Sequence, residues 1–193
     1  MKKLTLAAGL LFSLGGISSA FGAPDGTITF NGRVVDQTCT VSTGTNGNFD
    51  VTLPTVNKTL LTNGAIAGRT KFDIQLKGCK QATAQGTSNV RAYFLPNTEY
   101  VDPTTHNLKN TANTPATNVQ IQLTHADTSK VIAVGENVDT QENKPYNSWF
   151  NFENDVATTA KATLTYHAQY IAVGGDAGEG VVQSKVEYNI IYK

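Results

Sequence analysis

Methionine and tryptophan occur once each in the 193 residues, cysteine twice, and charged residues make up only 16% of the chain. The 15 Lys+Arg are balanced by 15 Asp+Glu, which leaves no basic footprint for nucleic acid or for an anionic membrane surface. Also missing is any sustained 3.6-residue apolar period, which argues against helices, and no segment after the first two dozen residues is apolar enough to cross a bilayer. What is abundant is Thr, 27 residues, and Asn, 17 residues, a bias towards strands and turns. The expectation is one all-β globular domain.

The N-terminus differs in kind from the rest. Lys2 and Lys3 precede an apolar run from Leu4 to Leu14 and a small-residue tail from Ser18 to Gly22, the layout of a secretory signal peptide. Cleavage after Gly22, with Ala20 three residues before the cut, fits better than after Ala23, and Ala20 is a second option. The apolar run is too short for a membrane anchor. Losing Lys2 and Lys3 leaves 13 basic against 15 acidic residues, a near-neutral mature protein.

Secretion changes what Cys39 and Cys79 mean. An oxidising compartment allows them to pair, and no third cysteine competes. A closed loop of this length stabilises a fold by about 4 kcal/mol in the chain-entropy model. The rival readings are two free thiols or a metal site, and neither cysteine has a His or second Cys at ligand spacing.

Period-two alternation recurs between Gly, Asn, Asp and Pro clusters, which predicts a β-sandwich. Residues 69–77 place Phe72, Ile74 and Leu76 on one face against Lys71, Asp73, Gln75 and Lys77. Shorter strands are predicted at 89–95, 117–124 and 130–134, and residues 162–172 turn Leu164, Tyr166, Ala168, Tyr170 and Ala172 inward. Residues 97–116, rich in Asn and Thr and without a period, read as a long surface loop. The Gly-rich run 174–180 lacks the Lys-Ser/Thr of a phosphate loop and reads as a hairpin turn.

The two ends of the mature chain carry the most information. At the C-terminus Gly180, Val182, Ser184, Val186, Tyr188, Ile190 and Tyr192 share one face, and the chain then stops. Such a strand needs a neighbour on each side: either a foreign strand or its own chain. Near the N-terminus, residues 26–36 alternate but contain Asn31-Gly32, a hairpin signal. As a hairpin, Phe30 would face Arg33. As one strand, Ile28, Phe30, Gly32 and Val34 line one face, the cleaner pattern despite a Gly inside a strand.

These features together resemble a chaperone–usher pilus subunit of the type 1 fimbrial family. The resemblance rests on the Asp25-to-Asp36 stretch after a signal peptide, the cysteine pair 40 residues apart just beyond it, the alternating C-terminal strand with Tyr192 second to last, and Gly180, fourteenth from the end. Weaker similarity runs through Thr117–Leu123 and Tyr166–Tyr170. The loop at 97–116 and the aromatic run Tyr146–Phe152 depart from the family pattern and bear on sub-type.

The resemblance implies an incomplete immunoglobulin-like β-sandwich lacking its last strand. Residues 1–22 would be the signal peptide, 23–36 an N-terminal donor-strand extension and 37–193 the pilin domain. The donor strand would present Ile28, Phe30, Gly32 and Val34 to a neighbour. Gly180, Val182, Val186, Tyr188, Ile190 and Tyr192 would form the acceptor and chaperone-binding strand. The implied partners are a periplasmic chaperone, an outer-membrane usher and neighbouring subunits in a head-to-tail surface fimbria that supports adhesion. No cofactor, metal or nucleic acid is implied. A tip adhesin would need a further domain; among the remaining ranks the long polar loop at 97–116, read as solvent-facing surface that a rod would display many times, makes the major rod subunit the expectation, with a minor or adaptor subunit as the alternative.

No enzymatic constellation is visible. His106, His125 and His167 have no HExxH or HxH spacing and read as solvated strand or loop residues. A secreted carbohydrate-binding sandwich remains as competitor, with Tyr146, Trp149, Phe150 and Phe152 as an exposed stacking platform.

Overall fold

The computed structural model describes residues 29, 39–80, 89–126, 130–136, 149–154 and 159–193. The expected signal peptide lies outside the described residues, as do Ile28, Phe30, Gly32 and Val34. Residues 35–193 form one unit, which contains all that follows. Its strands are β1 (Thr40–Val41), β2 (Ile66–Lys80), β3 (Asn89–Phe94), β4 (Leu108–Lys109), β5 (Val119–His125), β6 (Val131–Ile132), β7 (Phe150–Asn151), β8 (Glu153–Asn154), β9 (Thr159–Ala172) and β10 (Tyr188–Tyr192), with a 3-10 turn at Lys58–Leu60.

The two clearest alternating segments become the two longest strands, β2 and β9, paired antiparallel with Ile74 opposite Leu164 and Phe72 opposite Tyr166. They centre a sheet in the order β1-β2-β9-β5-β4, to which β6 and β8 add at β5 and β9. A second sheet, β10-β3-β7, supplies the other layer. Ile74, Leu76, Leu164 and Tyr166 from the first sheet pack with Val90, Ala92 and Phe94 from the second in one buried core. Tyr166 joins the layers: its hydroxyl accepts the Ala92 N–H at 3.1 Å, and the Phe94 and Phe150 rings meet it edge-on at 5.2 and 5.5 Å. Burial holds its phenol far above the usual tyrosine range.

Cys39 and Cys79 are bonded, with Cα atoms 4.1 Å apart. Strict alternation from Leu76 would turn Cys79 outward. A register shift between Leu76 and Cys79 intervenes, with Gly78 at φ 61°, and it reverses the parity so that Cys79 is fully buried.

Two sequence expectations are corrected. Residues 97–116 are not a free surface loop: Val101, Asn107, Leu108 and Ala116 are buried, and β4 adds to the sheet edge. Side chains take over the backbone bonding there. The Asp102 carboxylate accepts from Thr104 N at 2.8 Å and Gln120 Nε2 at 3.0 Å. Backbone hydrogen bonds hold the carboxyl of Asp102 below its usual range. The Gly-rich run 174–180 is not a hairpin turn either. It carries the chain from β9 in one sheet to β10 in the other, strands that do not pair.

Candidate functional site: an open groove between two strand edges

The first wall of the groove is residues 47–56. Thr45 and Asn48 exchange backbone hydrogen bonds at 2.9 and 3.0 Å, and the chain then runs extended. Phe49, Val51 and Leu53 are half-buried and alternate with exposed Asp50, Thr52 and Pro54. Among the described residues, no backbone–backbone hydrogen bond involves residues 49–56.

The second wall is the C-terminal stretch. Val182, Ser184, Val186, Tyr188 and Ile190 are half-buried, with Val181, Gln183, Lys185, Glu187 and Asn189 exposed between them. In an extended chain successive residues direct their N–H and C=O to opposite sides. Val181 bonds outward to Thr114 O and Ala116 N, Gln183 O accepts Thr111 N at 2.8 Å, and Glu187 O accepts Leu95 N at 2.9 Å. Val182, Ser184 and Val186 therefore direct theirs into the groove, where no described backbone group meets them.

Between the walls lies an apolar floor of Phe72, Ile74, Phe94, Ile121, Leu123 and Ala168, under a cavity of about 790 Å³. A second chamber of about 600 Å³, lined by Val56, Leu61, Ala116, Val119, Gly180 and Val181, meets the first at Tyr170 and Val182. The Ser184 hydroxyl is buried among these side chains without a hydrogen-bond partner. At the opposite end Tyr188 Oη donates to Gly47 O at 2.8 Å, tying wall to wall. Burial pushes the Tyr170 and Tyr188 phenols up, so Tyr188 keeps its proton and remains a donor.

The structure brings four sequence-predicted residues to the groove: Gly180, Val182, Val186 and Tyr188. It places Ile190 and Tyr192 beyond it, in β10 beside β3. Tyr192 is engaged within its own domain: its hydroxyl accepts Cys39 N–H at 3.3 Å and its ring stacks on Phe152. The first wall was missed by sequence reasoning, although Phe49-Asp50-Val51-Thr52-Leu53 carried the period-two signal.

The alternative sites dissolve into structural roles. Phe150 and Phe152 pack on Tyr166 and Tyr192, and Trp149 lies over the buried Arg91 guanidinium at 4.4 Å, so these aromatics form no exposed platform. Tyr146 lies outside the described residues. His125 is buried against Tyr166 rather than solvated. His125 and His167 occupy neighbouring strands, bridged by Arg69, whose Nη2 lies 3.4 Å from His125 O and 3.2 Å from His167 Nδ1. His106 is apart from both, its Nδ1 3.2 Å from Val134 O.

A family model described as type-1 fimbrial protein, A matches residues 53–193. The F17 fimbrial protein of Escherichia coli is 43% identical over 194 residues, covering 100% of both chains. The major fimbrial subunit SMF-1 of Stenotrophomonas maltophilia is 44% identical over 177 residues, 90% of this chain and 95% of that one. The P pilus rod subunit PapA superimposes with a TM-score of 0.55 at 18% identity, covering 80% of this chain and 99% of that one, a likeness of fold. With a sandwich open along one strand position and these full-length relatives, the chain belongs to the type-1 fimbrial protein family, as a structural subunit of immunoglobulin-like fold rather than a member of an enzyme family.

Proposed function

We propose that the groove is filled in turn by two foreign strands: one from a periplasmic chaperone during transit to an outer-membrane usher, then residues 25–36 of the next subunit in a surface fimbria. The observation that carries this reading is the pair of groove-facing edges, residues 49–56 and the backbone groups of Val182, Ser184 and Val186, which meet no backbone partner among the described residues and face each other over an apolar floor. The walls run in opposite directions, since Gly47 lies by Tyr188 and Val56 by Val182. One strand between them would complete both ladders, main-chain bonds giving affinity and side-chain pockets giving specificity.

The N-terminal segment suits that position. Ile28, Phe30 and Val34 on one face would each gain about 1.5–3 kcal/mol on full burial. Gly32, without a side chain, would fill a position too narrow for one. Head-to-tail addition of this kind does not close and yields a filament. The resemblance to major fimbrial subunits supports the rank of major subunit, and the buried side chains of 97–116 remove that segment as an argument for it.

The test is assembly in cells by a Gly32→Leu variant and by a deletion of residues 23–33. Both are expected to accumulate as soluble subunit complexes without fibres, while the wild-type chain forms most of the mass of sheared fibres. Normal fibres from either variant would overturn the donor-strand reading.

A further inference from the structure

Between 181 and 183 the groove's second wall is held from behind by one side chain as well as by backbone groups of residues 111–116. Asn110 lies just past β4, on the segment that sequence alone marked as loop. Its Oδ1 accepts Gln183 N–H at 3.0 Å and Ala112 N–H at 3.2 Å. Its Nδ2 donates to Val181 O at 2.8 Å and to Ala116 O at 3.2 Å. One amide thus supplies, to consecutive outward-facing residues of the wall, the acceptor and donor that a neighbouring strand would otherwise present. The amide orientation follows from the partners, because two carbonyls require the NH₂ and two N–H groups require the oxygen. Thr111 completes the anchorage through its N–H and hydroxyl, both donating to Gln183 O at 2.8 and 3.2 Å.

We infer that Asn110 is the positioning residue of the acceptor wall: by fixing residues 181 and 183 from the outer side it sets the register in which Val182, Ser184 and Val186 offer their backbone groups to an incoming strand. Asn110 lines neither cavity, so its effect on strand uptake passes through the wall. The inference rests on the reading that a strand from a second copy fills the groove. Without the Asn110 amide the wall would keep its backbone bonds at Val181, at Gln183 O and at Glu187, but the Gln183 N–H would lose its acceptor and the stretch its fixed height above the floor, and a ladder whose groups are displaced by a fraction of an ångström forms poor hydrogen bonds.

The replacements that separate positioning from bulk stability are Asn110→Ala and Asn110→Asp. Aspartate keeps the oxygen facing Gln183 N–H but sets a carboxylate against the Val181 and Ala116 carbonyls. Protonation restores one donor. The probe is a synthetic peptide of residues 24–37, added to the mature full-length subunit held by its chaperone and followed by displacement and by hydrogen exchange at residues 182, 184 and 186.

At pH 7.5 both variants are expected to take up the peptide about ten- to a hundredfold less well than wild type, the loss of two or three hydrogen bonds. Lowering the pH towards 4.5 should restore Asn110→Asp relative to wild type and leave Asn110→Ala impaired. The charged groups on the same two segments, Lys109, Lys185 and Glu187, are shared by wild type, which serves as the reference at each pH. Exchange at β2 and β9 should be unchanged in all three. If both variants capture peptide and protect the wall amides as wild type does, the role of Asn110 is overturned. Equal impairment of both variants at every pH would also overturn it, by showing a bulk effect. If the wild-type wall itself gains no protection, the donor-strand reading fails instead.

Discussion

Tyr192, one residue from the C-terminus, shows how a side chain that reads as an interface residue is also used within its own domain. Its inward direction followed from alternation, but its partners did not: the backbone N–H of Cys39 and the ring of Phe152 come from opposite parts of the chain. Tyr192→Phe keeps the stack and loses the hydrogen bond, an expected cost of about 1 kcal/mol. Tyr192→Ser also removes the ring, about 2–3 kcal/mol at this half-buried site. Denaturant unfolding of the subunit complemented by the 24–37 peptide should rank wild type above Phe above Ser. If Ser is as stable as wild type, the ring has no structural role, and any loss of chaperone capture by that variant would then be a direct contact effect. The same limit applies to Arg91, whose position opposite Ile191 and beneath Trp149 no local pattern marks as buried.

Among the elements, legibility followed the strength of the period. Residues 69–77 and 162–172 lie within β2 and β9, and the expected faces are buried at Ile74 and Leu76 and from Ala162 to Ala168, where each strand has a dry side and a wetter one; beyond that the alternation fails, Gln169 being buried against Gln122 and Tyr170 half-buried at the groove. Residues 97–116 were illegible because Asn97, Asp102 and Asn110 satisfy backbone groups through side chains, which erases the alternation a ladder would impose. The run 174–180 was misread because glycines announce a turn without saying which strand comes next. Gly180 has φ 151°, and a Cβ there would fall on Ala116 N and within 2.7 Å of Pro115 C. Gly180→Ala is expected to cost on the order of 1–3 kcal/mol and to loosen the bridge between Pro115 and Val181. Faster hydrogen exchange at Ala116 and Val181 would register it. Unchanged exchange and unfolding would show that the two segments part without cost.

At the scale of the whole molecule, the domain is an immunoglobulin-like sandwich whose second layer stops one strand short, and the consequence is an apolar floor that its own described residues leave uncovered. The C-terminal wall could be read from sequence because it alternates on its own, whereas the candidate donor face, which also alternates, lies outside the described residues. That a groove lies between the C-terminal wall and residues 47–56 could not, because it arises from two segments more than 120 residues apart brought alongside each other. The central claim is that the missing strand comes from the next subunit. It is tested most directly by placing a photo-crosslinking phenylalanine analogue at Phe30 and irradiating sheared fibres assembled from mixed isotope-labelled and unlabelled subunits. The account predicts adducts joining the segment around residue 30 to residues 47–56, 181–192 or the groove floor between them, with labelled and unlabelled chains combined. Adducts confined to one chain, or falling on the outer face of β2 and β9, would contradict it.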